Sequence, residues 1–216
     1  MKTLNRLSAV EAAEGIKKKK FTSEELIKDC LSRINEREND IQAWSYINTE
    51  LAIQQAQKAD RHQSEGGSLG ALHGIPIGIK DVIDTKDMPT ENGSLIFEGR
   101  RPQHDAQCVA ALRRAGAVVM GKTVTTEFAN INPSKTRNPH NLDHSPGGSS
   151  AGSGASVADI HIPLALSTQT GGSVSRPASC NGVFGLKPTL GLIPRNGLFL
   201  QSHTLDTIGV YGRTLE

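Results

Sequence analysis

Two stretches rich in glycine and serine place small residues and hydroxyl groups where chemistry could occur. The first is SPGGSSAGSGASVA, residues 145–158, and the second is TQTGGSVSRPAS, residues 168–179. The first runs into IHIPLAL, residues 160–166, which is core material, so a flexible linker is not indicated. Small residues let a backbone approach a ligand closely, and free N–H groups can face a developing negative charge. The pattern predicts an oxyanion hole.

A further stretch fits the phosphate-binding loop. Residues 116–123 read GAVVMGKT, which matches G-x-x-x-x-G-K-T. A phosphate loop needs free N–H groups at its centre, whereas Ala-Val-Val-Met reads as an apolar strand whose N–H groups are bonded within a sheet. The sequence therefore disfavours nucleotide binding.

The first stretch also contains a nucleophile-elbow pattern. Residues 148–152 fit G-x-S-x-G, which makes Ser150 a rival nucleophile with His161 or His203 as its base. An elbow follows a buried strand, but residues 137–146 read as a polar loop. This alternative is the main rival from Ser-His-Asp chemistry.

Metal ligands and disulfides are not indicated. His140 and His144 are four residues apart, but prolines bracket them, which argues against a helical pair of ligands. Cys30, Cys108 and Cys180 are odd in number and widely spaced, so we expect reduced, buried thiols. We predict no metal and no cofactor.

Composition limits the class of protein. The 216 residues are 36% apolar and carry a formal charge of +2, which favours a globular protein with a small neutral substrate over one that binds nucleic acid or an anionic membrane. No run of 18 apolar residues and no signal peptide is found, so we expect a cytoplasmic protein without a membrane partner.

Helical and strand patterns alternate along the chain and indicate an α/β fold with a layered sheet. Capping boxes at Ser8–Glu11 and Thr22–Glu25 open two helices, the second with an apolar face. Helices are also predicted over 50–62 and 105–115, and strands over 44–47, 74–80, 117–120, 160–167 and 204–213. No repeat or linker divides residues 1–216, so we predict a single domain.

Several blocks in order resemble the amidase signature family over residues 68–213. These blocks are GIPIGIKD (74–81), GGSSAGSGASVA (147–158), GGSV (171–174) and GVFGLKPT (182–189). The resemblance implies a layered α/β/α fold with a mixed sheet, and amide cleavage by a Ser-Ser-Lys triad.

The resemblance also assigns roles to particular residues. The family's lysine falls on Lys80, its bridging serine on Ser149 and its nucleophile on Ser173, 24 residues later. The resemblance further implies a cis peptide at Gly148–Ser149. It implies an oxyanion hole formed by backbone N–H groups, those of Thr170, Gly171, Gly172 and Ser173.

A lysine in this role must be neutral. An exposed lysine has a pKa near 10.4, so the site must lower it by about 3 units, roughly 4 kcal/mol, and burial without a carboxylate partner would do so. In a strand, Lys80 shares its face with Gly78 and Pro76, while Asp81 points the opposite way. A pairing of Asp81 with Lys80 would shift the pKa in the wrong direction.

Two departures from the family pattern favour a stand-alone amidase over the A-type subunit of a tRNA-dependent amidotransferase. Gln169 stands where an acidic residue is usual, and the arginine common two places after the nucleophile appears at Arg176. The amidotransferase subunit is kept as an alternative.

Length raises a further alternative. Family members are commonly about twice this length, and residues 214–216 resemble the start of a helix, so we expect a truncated chain. Residues 1–67 form its helical lead-in, and 68–216 its catalytic core. An uncovered sheet edge would favour a homo-oligomer or an inactive remnant.

Overall fold

The computed structural model describes residues 3–216 and contains a six-stranded mixed sheet with helices packed on it. The strands are β1 (Trp44–Ile47), β2 (Pro76–Lys80), β3 (Val118–Thr123), β4 (Leu164–Gln169), β5 (Phe184–Leu186) and β6 (Thr207–Gly212). The helices are α1 (Ala9–Lys17), α2 (Ser23–Ile41), α3 (Thr49–Ser64), α4 (Gln107–Arg114), α5 (Ala151–Ala158) and α6 (Ser175–Asn181). Short 3-10 helices span Leu4–Arg6, Leu95–Phe97 and Glu127–Ala129.

The central strand of the sheet is β2. The strand order is β1-β3-β2-β4-β6-β5, with β2 parallel to both β3 and β4 and the remaining pairs antiparallel. A parallel strand with two partners is covered on both faces, and all five residues of β2 are buried. Because Lys80 is the last residue of β2, its side chain starts from the interior of the protein.

Apolar clusters on the two faces of the sheet make the fold layered. One cluster joins α1, α2, α5 and α6 to the sheet, through buried residues that include Ile16, Ile27, Ala155 and Ala178. The other joins α4 to the opposite face through Val109, Ile79 and Ile208, among others. The predicted α/β fold with N-terminal helices is confirmed.

Local signals at the start of the chain produce the predicted helices. The Ser8 hydroxyl accepts a hydrogen bond from the Glu11 backbone N–H, and the Glu11 carboxylate accepts one from the Ser8 N–H. Thr22 and Glu25 make the same reciprocal pair at the start of α2. These caps satisfy N–H groups that the first helical turn leaves without partners.

The structure differs from the sequence prediction around β4 to β6. The strand predicted over 160–167 begins only at Leu164, because Ile160 has a φ of 64°, which turns the chain away from extended geometry. The α6 helix and the β5 strand were not predicted. Residues 214–216 are not helical. None of the helices within residues 3–216 combines the length and hydropathy needed to cross a membrane.

Candidate active site

The Lys80 amine lies inside the protein among oxygen atoms. Its Nζ is fully buried and contacts Ser149 Oγ at 2.8 Å, Thr168 Oγ1 at 2.9 Å and the Thr168 carbonyl oxygen at 3.4 Å. Gly78 leaves room on the same face, since a Cβ atom there would lie 2.8 Å from Ile162 Cδ1 and 2.9 Å from Thr123 Cγ2. No carboxylate within residues 3–216 forms an ion pair with Lys80.

Burial changes the protonation of this amine. It lowers the pKa of Lys80 to about 7, because the charged form loses its hydration, and the more distant Asp206 carboxylate opposes this shift. A substantial fraction of Lys80 is therefore neutral at physiological pH and able to accept a proton.

Ser149 is held in the turn that precedes α5. Its side chain is buried, and its carbonyl oxygen accepts a hydrogen bond from the Thr126 N–H at 3.0 Å. The Gly148–Ser149 peptide bond is cis, as the resemblance implies. Gly152 allows close packing, since a Cβ atom there would lie 2.1 Å from the Ala43 carbonyl oxygen. The first glycine-serine stretch is thus embedded, as predicted.

Ser173 lies in the loop between β4 and α6 and is half-buried. Within residues 3–216, no hydrogen bond joins its hydroxyl to Ser149, to Lys80 or to any other group. The structure therefore brings Lys80 and Ser149 into contact and leaves the Ser173 hydroxyl unengaged by the described residues.

The backbone of residues 170–173 offers free donors. None of these four N–H groups donates a hydrogen bond to another described residue. A Cβ atom on Gly171 would meet nothing within 4 Å, so the loop borders open space. Free N–H groups beside open space can bind a carbonyl oxygen or an oxyanion.

Buried side chains fix both sides of this loop. Gln169 Oε1 accepts hydrogen bonds from the N–H groups of Val174, at 2.7 Å, and Ser175, at 2.9 Å. The Tyr211 hydroxyl contacts the carbonyl oxygens of Ser173, at 3.2 Å, and Val174, at 2.9 Å. The backbone at Ser173 is therefore anchored although its hydroxyl is not.

A second network reaches the loop from β6. The Thr170 hydroxyl contacts Asp206 Oδ1 and Gln201 Oε1, and Asp206 Oδ2 accepts hydrogen bonds from the N–H groups of Gln201, at 2.6 Å, and Ser202, at 3.0 Å. Because Asp206 is buried, its carboxylate links the 201–202 turn rigidly to Thr170.

A cavity of about 260 Å³ adjoins the Ser149 turn. Its lining includes Thr126, Asn130, Gly148 and Arg176. A cavity of about 420 Å³ lies beside α1 and residues 69–73, on a different part of the surface from the Ser149 turn. Space for a small ligand therefore exists next to the Lys80–Ser149 contact.

The rival elbow residues are not brought together. Ser150 is fully buried and its hydroxyl donates to the Thr168 carbonyl oxygen at 3.1 Å. His161 instead contacts Trp44 Nε1 at 3.2 Å and Asp159 Oδ2 at 3.1 Å. Neither His161 nor His203 contacts Ser150 in the described part of the chain.

The remaining tempting motifs are also resolved by position. Lys122, the lysine of the phosphate-loop match, lies inside strand β3, as predicted. Cys30 and Cys108 are buried, and burial raises their pKa values to about 12 and 11. Cys180 is exposed on α6, so the prediction that it is buried was wrong. Residues 3–216 contain no cluster of three or more His, Cys, Asp or Glu side chains that could hold a metal ion.

Sequence reasoning missed Thr168, Gln201 and Asp206. Thr168 contacts Lys80 across 88 positions in the chain, and Asp206 contacts Thr170 across 36. No local spacing announces such contacts, since strand pairing creates them. The only sequence signal for Thr168 is its place at the start of the second serine-glycine stretch.

Comparisons with known proteins identify the class. The family model described as Amidase matches residues 25–216. A curated relative from Natranaerobius thermophilus, named as the A-type subunit of glutamyl-tRNA(Gln) amidotransferase, is 41% identical over 99% of this chain and 45% of its own length. A peptide amidase structure from Stenotrophomonas maltophilia shares 37% identity with a TM-score of 0.91, over 97% of this chain and 45% of that one.

A further structure belongs to a vestigial protein complex described as revealing the evolutionary origins of an s-triazine catabolic enzyme. It shares 34% identity and a TM-score of 0.92, over 95% of this chain and 47% of that one. The protein belongs to the amidase family, and its fold is that of amidase signature enzymes. The chain spans about half the length of the curated relatives it matches.

Proposed function

We propose that this protein is an amidase that hydrolyses a small carboxylic amide to an acid and an amine or ammonia, through an acyl-enzyme on Ser173. The observation that carries the proposal is the buried contact of 2.8 Å between Lys80 Nζ and Ser149 Oγ. An amine with a pKa lowered to about 7, and with no carboxylate paired to it among the described residues, is suited to be a general base.

The surroundings of Lys80 suit its neutral form. A neutral amine has two N–H groups and one lone pair. The hydroxyl and carbonyl oxygens of Thr168 can accept both N–H groups, which leaves the lone pair to accept the Ser149 hydroxyl proton. Ser149 can then accept a proton from a second hydroxyl, so it would relay protons between Lys80 and the nucleophile.

In the acylation step, Ser173 Oγ attacks the amide carbonyl carbon. Its proton passes to Ser149 as the Ser149 proton passes to Lys80, and the carbonyl oxygen becomes an oxyanion held by the N–H groups of residues 170–173. The C–N bond then breaks, and the proton returns through Ser149 to the leaving nitrogen. An ester of Ser173 remains.

Water reverses this sequence. It loses a proton through Ser149 to Lys80 and attacks the ester carbon. The C–O bond to Ser173 then breaks, and the proton returns to the Ser173 oxygen, which releases the carboxylic acid. No redox partner or cofactor enters the balance.

The second candidate is the A-type subunit of a tRNA-dependent amidotransferase. The 41% identity to curated relatives of that name, over nearly the whole chain, favours it. The same residues would then release ammonia from an amide donor for transfer to another acyl group. Turnover that requires glutamine, ATP, charged tRNA and partner subunits would select this candidate.

The test of the proposed function is turnover of simple aryl and alkyl amides by the purified chain. We expect Ser173→Ala to abolish it, and Ser179→Ala, a change at an exposed serine on the nearby α6 helix, to leave it unchanged. Equal activity of both variants would reject Ser173 as the nucleophile. Absence of turnover in the folded chain, with and without the amidotransferase components, would favour the remnant alternative.

A further inference from the structure

A second fully buried lysine, Lys122, lies on β3 beside the strand that carries Lys80. Its Nζ donates hydrogen bonds of 2.6 Å to the Ile83 carbonyl oxygen and 2.6 Å to Thr90 Oγ1, and lies 3.7 Å from Asp81 Oδ1. The mechanism above assigns no role to this lysine.

Strand register places Lys122 and Lys80 on opposite faces of the sheet. Lys122 is paired with Ile79, and Lys80 with Thr123, whose hydroxyl contacts Ser153 on α5. Because side chains alternate along a strand, Lys122 points away from the Lys80–Ser149 contact. Asp81, the residue after Lys80, reaches the Lys122 side.

The backbone around Asp81 is anchored on the same side. The Asp81 N–H donates to the Thr123 carbonyl oxygen at 3.0 Å, and its carboxylate accepts from the Glu91 N–H at 3.1 Å. The Asn92 N–H donates to the Asp81 carbonyl oxygen at 2.9 Å. Lys122 therefore closes a set of contacts that hold the segment after Lys80 against β3.

We propose that Lys122 is a positioning residue for the amide cleavage described above: its ammonium group holds the Asp81 carboxylate on the far face of the sheet, so that no carboxylate competes with Ser149 for the Lys80 amine. This inference rests on the proposed function for its catalytic consequence, whereas the arrangement of charges can be tested separately.

The charges near these groups explain why the pairing matters. A carboxylate beside Lys80 would stabilise its protonated form and oppose the effect of burial. Asp206 already acts in this direction from the β6 side. Around Lys122 lie Asp81, Asp84 and Arg100, but Asp84 is engaged by Arg100 through contacts of 2.7 and 3.0 Å.

Asp81 itself is sensitive to its partner. Burial raises its pKa, while Lys122 and the hydrogen bond from the Glu91 N–H lower it, and the nearby Glu91 carboxylate raises it further. Removal of the Lys122 charge would leave Lys80 as the nearest cation along the chain to Asp81.

The experiment follows the titration of Lys80 by NMR in the full chain carrying ¹³C-labelled lysine, with the resonance assigned by its loss in Lys80→Met. We expect Lys122→Met to raise the pKa of Lys80 by about one unit, which reduces the neutral fraction near pH 7 several-fold. The acidic limb of the kcat/KM profile should move to higher pH by the same amount. Lys122→Arg, which keeps the charge, should titrate like the wild type.

The double variant Lys122→Met with Asp81→Asn is the decisive control, because it removes both charges and should return the pKa of Lys80 to its wild-type value. An unchanged pKa in folded Lys122→Met would overturn the proposal. Unfolding of both Lys122→Met and Lys122→Gln would assign Lys122 to folding alone and would also overturn it. If Lys80 titrates as expected but Ser173→Ala keeps full turnover, the proposed function fails and the charge arrangement stands.

Discussion

Lys80 Nζ lies 2.8 Å from Ser149 Oγ in a position that solvent does not reach, at the end of the central strand of the sheet. Among residues 3–216, the only other groups that share the amine's hydrogen bonds are oxygens of Thr168. This part of the chain thus buries a base without giving it a counter-ion, which is the condition under which a lysine loses its proton near neutral pH.

Lys80→Met should reduce amide turnover by a factor of about 10² to 10⁴, the usual contribution of a general base. The measurement is kcat/KM for a simple amide, with circular dichroism to verify folding. Lys86→Met, at an exposed lysine a few residues further on, is the matched control and should retain full activity. A Lys80→Met enzyme with wild-type turnover would remove Lys80 from the mechanism.

The pH dependence of stability should carry the mark of the same lysine. The pKa of Lys80 is about 7 in the folded state and near 10.5 in the unfolded chain, so between these values the unfolded state binds more protons. The free energy of unfolding should therefore rise with pH in this window.

Comparison with Lys80→Met isolates this contribution. Between pH 7 and 9 the wild type should gain up to about 2 kcal/mol relative to the variant, measured by urea unfolding. Parallel curves for the two proteins would show that the folded and unfolded states bind the Lys80 proton equally well.

Thr168 should position the amine through its hydroxyl. Thr168→Val keeps the side-chain shape but removes one of the two Thr168 oxygens that contact Lys80 Nζ, and we expect kcat to fall about tenfold. Thr168→Ser keeps the hydroxyl and should restore most of the activity. If valine and serine behave alike in steady-state assays, the hydroxyl has no positioning role.

Gln169 should stabilise the loop that carries Ser173. Gln169→Leu leaves the N–H groups of Val174 and Ser175 without their acceptor, and we expect a loss of about 1–3 kcal/mol in urea unfolding. Gln169→Glu supplies an acceptor of the same length and should be much less destabilising. Equal stability of the leucine and glutamate variants would contradict this account of the loop.

Much of the fold could be predicted from local sequence signals. The capping boxes at Ser8 and Thr22 fix where α1 and α2 begin, and β1 was predicted with its observed bounds. Strand β2 was predicted two residues too long at its start, because Gly74, with a φ of 74°, interrupts the extended run.

The rest depends on tertiary structure. β5 is three exposed residues long and exists because it pairs with β6, so it has no alternating pattern of its own. Lys80 and Ser149 could be placed through the family resemblance. Thr168 and Asp206 could not, because their roles arise where β4 and β6 bring distant segments together.

The most direct test of the central claim is the pH dependence of labelling by a serine-directed fluorophosphonate, with the modified residue located by mass spectrometry. We predict that the label forms on Ser173, that its rate rises with pH through about 7 as the Lys80 amine loses its proton, and that Lys80→Met abolishes this dependence. A label confined to Ser150, or a rate on Ser173 that is the same from pH 6 to 9, would contradict it.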